Sequence, residues 1–174
     1  MPSEIDMTVI LLFLSGATLF DFFKKRIPNL YIIAGMAISL IRVFIISNGQ
    51  EMEKWMYGLI WPTGALFILF IARVLGAGDI KIIAVVSSIV PTDWAFLFIA
   101  ITFVTAGIYS MTVMIFKGEL LRRLFVLGDY LNEIAVQRKI LHYPKEEAES
   151  GKIRMAPFMF LSAFFTELIV LIWR

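Results

Sequence analysis

Apolar runs long enough to cross a bilayer recur along almost the whole chain, at residues 5–23, 30–46, 57–75, 94–116 and 155–173. About 20 residues of α-helix span the roughly 30 Å of a hydrocarbon core at 1.5 Å per residue. With 60% hydrophobic residues, the 174-residue chain is far more apolar than a soluble domain. The expected fold is all-α, a polytopic membrane bundle of about six transmembrane helices forming one domain over residues 1–174. The absence of cysteine removes disulfides, thiol nucleophiles and thiolate metal sites from consideration.

The first run is too long for the core of a secretory leader and begins with Glu4 and Asp6 rather than basic residues, so it reads as a retained span. Pro28 disfavours helical geometry at Ile27 and separates it from the second. Ser47-Asn48-Gly49 closes that second run as a turn. Pro62 and Gly64 mark a point where the third could bend. A fourth helix between Asp79 and Pro91 has room for only about 18 Å, which places Asp79 below the membrane surface if Pro91 lies at the opposite one. In the fifth run Thr102, Ala106 and Ser110 form a stripe of small residues, as Gly35 and Ser39 do in the second; both are expected packing surfaces.

Residues 117–154 are the one extended polar region. Leu120, Leu124, Leu127, Leu131 and Ile134 recur at helical spacing with basic residues on other faces, which predicts an interfacial amphipathic helix followed by a solvated loop. With six spans, Lys24, Lys25, Arg26, Arg73, Lys81 and every basic residue from Lys117 to Arg154 fall on one side, leaving Arg42, Lys54 and Arg174 towards the other. The positive-inside rule makes the first side cytoplasmic, with both termini outside and residues 117–154 as a cytoplasmic insert.

Two acids stand out against this background. Asp79 follows the broken turn Leu75-Gly76-Ala77-Gly78, and Asp21 lies near the end of the first run, so both reach the cytoplasmic side at a recessed depth. An acid kept beside hydrocarbon is costly and points to function. Two close carboxylates can share a proton, one activating water while the other polarises a peptide carbonyl. Gly76 and Gly78 would then supply left-handed backbone angles and room for an extended substrate. Other readings fit the same residues. Gly-x-Gly-Asp is also an ordinary helix start, Asp21 also suits neutralisation by Lys24 or Lys25, and two membrane acids also suit a proton- or cation-coupled transporter or a noncatalytic assembly scaffold.

The chain resembles the type IV prepilin leader peptidases, membrane aspartyl proteases of the Gly-x-Gly-Asp type. The resemblance rests on Asp21 followed by Lys25-Arg26-Ile27-Pro28-Asn29 and on Gly76-Ala77-Gly78-Asp79-Ile80-Lys81, two separated motifs in register. It implies that Asp21 and Asp79 are the catalytic pair. It also implies an endopeptidase of the plasma membrane that removes the basic leader of pilin-like precursors at the cytoplasmic face. The implied partners are those precursors and the lipid bilayer, with no nucleic acid, cofactor or metal. Larger bacterial members carry paired Cys-x-x-Cys motifs and methylate the new amino terminus. Lacking cysteine, this chain is similar instead to the short peptidase-only forms serving tight-adherence pili and to archaeal preflagellin peptidases.

Three further residues carry expectations. Lys81 either meets substrate or extends to the interface. His142 has no metal-binding neighbours, and no His-Glu-x-x-His pattern occurs. Arg42 and Glu167 lie about 18 Å along their spans, where they either pair or extend separately to the outer interface.

Overall fold

A computed structural model describes residues 2–24, 26–72, 74–118 and 154–173. These form six α-helices: α1 Glu4–Lys24, α2 Asn29–Ser47, α3 Met52–Ile71, α4 Ala77–Ile89, α5 Thr92–Phe116 and α6 Ala156–Ile172. All described regular structure is helical. α1, α2, α3 and α5 are each long and apolar enough to cross a membrane, and α6 is a shorter apolar helix. The expected amphipathic insert and His142 lie outside the described residues, apart from the insert's ends at Lys117, Gly118 and Arg154. Residues up to 103 and from 154 onwards pack as one unit, and residues 104–118 belong to a second.

Within the first unit α4 is the axis. Every residue from Ile82 to Val90 is buried, although the helix has only 13 residues, or about 20 Å. A short helix that is apolar nearly all round is one enclosed by others. α3 and α2 supply most of its packing, with less from α1, whereas α6 lies along α1. Elsewhere large side chains such as Leu12, Ile45, Ile68 and Phe164 point outwards, as expected where the surrounding medium is lipid.

Gly58 sets how closely α3 approaches α4. A Cβ there would stand 2.4 Å from the carbonyl oxygen of Ser87 and 2.7 Å from the Cα of Ser88, both of them backbone atoms that cannot swing aside. Pro62 lies one turn further along α3 and cannot donate to the Gly58 carbonyl, yet the helix continues through it. We therefore expect Gly58→Ala to destabilise the fold by about 1–3 kcal/mol, as overpacking does. Gly64→Ala should cost nothing comparable, because among the described residues no atom beyond the adjoining backbone lies within 4 Å of the added methyl. Thermal unfolding of the two variants in detergent checks the contrast; equal behaviour would mean that the helices separate freely.

The predicted boundaries hold within a residue or two except in α3. That helix begins five residues early because its polar first turn, through Glu53 and Lys54, is helical without being apolar. It ends four residues before position 75, where the amides of Val74 and Leu75 both turn back to the carbonyl of Leu69. Asn48 and Gly49 take left-handed angles after α2, as the turn reading requires. In the small-residue stripe of α2, Gly35 lies against the Phe13 ring and Ser39 accepts a hydrogen bond from Trp55 Nε1 at 2.9 Å.

Arg42 and Glu167 do not meet. Arg42 hydrogen-bonds Asp6 at the start of α1, and Glu167 accepts from Trp94 Nε1 at 3.2 Å. Equal distance along two helices does not bring their side chains together; helix order in the bundle decides contact, and α2 presents Arg42 to α1.

Candidate active site

The end of the bundle where α1 finishes and α2, α4 and α6 begin brings the two motif acids together. Tyr31 fastens α1 to α2: its hydroxyl donates to the Phe13 carbonyl at 2.6 Å and its ring stacks on Phe13, 5.1 Å between centroids. Gly16 makes this possible, since a Cβ there would stand 2.3 Å from the Tyr31 hydroxyl oxygen. Asp21 follows one turn before α1 ends.

Asp79 enters from α4. Gly76 is the residue before that helix, with φ −77° and ψ 147°, and the Asp79 carboxylate accepts its N–H at 3.3 Å. Asp79 thus caps its own helix, as the ordinary-turn reading requires, and the same carboxylate faces Asp21 closely enough for electrostatic interaction. The two readings are compatible. The expected left-handed angles are not found, because the chain has already reversed through Val74 and Leu75 and the only positive-φ glycines among the described residues are Gly49 and Gly118. Gly76 provides space instead. A Cβ at Gly76 would stand 2.9 Å from Asp79 Oδ2, and one at Gly78 would stand 3.9 Å from the Ile27 side chain.

The cation facing Asp21 is not the expected one. Lys24 lies over the Phe20 ring at 5.5 Å, and Lys25 is outside the described residues. Arg154, just before α6, interacts electrostatically with Asp21, and the N–H of Ala156 hydrogen-bonds the same carboxylate. The Arg154 guanidinium also lies over the Phe22 ring, 5.3 Å from its centroid. Nothing local in the sequence marks Arg154 or Ala156. The only available signal was Pro157, which sets a helix start and hence free N–H groups just before it. The second carboxylate oxygen of Asp21, Oδ2, is buried and has no hydrogen-bond partner among the described residues. Lys81 meets neither acid; its ammonium donates to Asn29 Oδ1 at 3.1 Å.

Among the described residues no group of three or more His, Cys, Asp or Glu side chains is placed to hold a metal ion. What the site offers is a pair of carboxylates from separate helices, one with an unused buried oxygen, at the end of an apolar bundle. Such a pair suits proton transfer to and from water or a carbonyl. No curated protein and no solved structure gives a significant match to the chain. A family model described as the type IV leader peptidase family matches residues 8–111, more than half of the chain and a stretch that contains both acids. The chain therefore belongs to the type IV leader peptidase family, a family of peptidases, and is a membrane protein by its apolar helices.

Proposed function

We propose that this protein is an aspartyl endopeptidase that removes the short basic leader from type IV pilin-like precursors at the cytoplasmic face of the plasma membrane, with Asp21 and Asp79 as its catalytic pair. The observation that carries this reading is that Asp21 on α1 and Asp79 on α4 come near enough to interact electrostatically at one end of the bundle. Together with the family match, it favours a peptidase over a transporter or a scaffold.

Two close carboxylates work best with one proton between them, because both cannot carry charge cheaply. One takes a proton from a water molecule as it attacks the scissile carbonyl, and the other donates its proton to the carbonyl oxygen. Collapse of the resulting tetrahedral species returns a proton to the leaving amine, and no covalent enzyme intermediate forms. Helix ends alone would make Asp79 the charged member, since it lies at the positive end of α4 while Asp21 lies in the last turn of α1. The contacts around Asp21 support the opposite assignment: it has both the Arg154 cation and the Ala156 N–H, whereas Asp79 has the single long bond from Gly76. Asp21 then activates water and Asp79 supplies the proton.

Incubating the purified protein in detergent with a pilin-like precursor should release the leader as a discrete peptide visible by mass spectrometry. Absence of cleavage, with proton or cation flux appearing in proteoliposomes, would replace this reading with the transporter.

A further inference from the structure

Asp21 and Asp79 stand on helices that touch each other only slightly. α4 packs mainly on α3 and α2, and α1 reaches it with few contacts. Besides that direct packing, a second path between the two acids runs through α2, which Tyr31 fastens to α1. At this end of the bundle the bond from Lys81 Nζ to Asn29 Oδ1 fastens the start of α2 to the start of α4. Each partner is itself well placed. Asn29 is the first residue of α2, held by Pro28 at φ −63° and ψ 136°, and the Pro28 carbonyl accepts the N–H groups of Tyr31 and Ile32. Lys81 lies two residues beyond Asp79 in the same first turns of α4.

We infer that Lys81 and Asn29 form a latch which fixes the position of Asp79 relative to Asp21, making both of them positioning residues for the reaction. This rests on the peptidase reading above. A lysine that merely extended to the interface would need no acceptor from another helix, and a lysine reserved for substrate would be left free of one. Catalysis of this kind depends on placement, and a misplacement of about 1 Å can cost up to about 10²-fold in rate.

The test combines kinetics with a distance measurement that does not depend on activity. Lys81→Met and Asn29→Leu should each lower kcat by roughly tenfold or more with KM within about twofold, and the double variant should be no slower than the worse single one. Asn29→Asp, which keeps an acceptor for the ammonium, should recover most of the lost kcat. Because the chain has no cysteine, spin labels can be placed cleanly at Phe23→Cys and Val74→Cys, exposed positions at the end of α1 and just before α4. Their distance distribution should broaden when Lys81→Met or Asn29→Leu is added and stay narrow with Asn29→Asp. A rise in KM confined to Lys81→Met, with Asn29→Leu silent, would make Lys81 a substrate contact and overturn the latch. Unchanged kcat and unchanged distances in both variants would overturn it as well. If the unaltered protein cleaves no precursor, the peptidase reading fails and the distance distributions alone decide whether the latch exists.

Discussion

Asp21→Asn and Asp79→Asn should each reduce leader release by about 10²- to 10⁴-fold, the usual cost of losing a general acid or base, while the protein unfolds at nearly its original temperature. The substitution separates two roles that the structure superimposes. An asparagine at position 79 still has a side-chain oxygen to accept the Gly76 N–H, so the start of α4 is preserved. An asparagine at position 21 can still accept from Ala156 N–H, so α6 keeps its contact with α1. Neither amide can take a proton from water or share one across the pair. The double variant should be little worse than either single one, because residues acting as a unit lose their function together. Cleavage at near the normal rate by either single variant would reduce the acids to a helix cap and a buried ion partner, and the paired-acid mechanism would be wrong.

The acids were legible in the sequence because each breaks a rule of its surroundings. Asp79 interrupts apolar sequence directly after two glycines, and Asp21 sits inside a run otherwise long enough to span. Their matched position at one end of the bundle followed from the lengths of the runs and from the shortness of α4, which depends on backbone rise alone. What sequence could not supply was adjacency. Periodicity tells which residues share a face of one helix and nothing about which helix covers that face. Hence Arg154 is, in the sequence, one more basic residue, although it interacts electrostatically with Asp21 from just before α6. Lys81 fits lipid interface and substrate alike in the sequence, and its partner is Asn29, within the other motif. The glycines show a related limit. Glycine is compatible with left-handed angles and with close approach alike, and only coordinates reveal that Gly76 serves the second purpose, leaving room for the Asp79 carboxylate.

The same limit applies to Arg42, and its actual partner yields the largest expected effect on stability. Asp6 is 2% exposed in the first turn of α1, where the helix dipole already favours a negative charge. Its Oδ2 accepts from Ser3 N–H at 2.8 Å and from Arg42 Nη2 at 2.7 Å, while Arg42 Nε donates to Oδ1. The Asp6 N–H in turn donates to Ser3 Oγ at 3.2 Å, so one carboxylate both closes the start of α1 and ties it to α2. Removing one partner of a buried ion pair costs about 3–5 kcal/mol, mainly because the other charge is left without compensation. Asp6→Asn keeps the side-chain shape and the Ser3 bonds but strands the guanidinium, and Arg42→Met strands the carboxylate. Arg42→Met belongs at the upper end of that range, because the charge it strands is the fully buried one. Asp6→Asn belongs at the lower end, because the guanidinium it strands is 18% exposed and can reach water. Denaturation in mild detergent should show both losses, and the double variant should lose clearly less than their sum, as contacting residues do. Glu167→Gln serves as the control. Its hydrogen bond is to Trp94, so its effect should add to that of Arg42→Met without coupling. Additive losses from Asp6→Asn and Arg42→Met would show that the pair contributes nothing beyond two separate charges, and coupling between Arg42 and Glu167 would require a different arrangement of α1, α2 and α6.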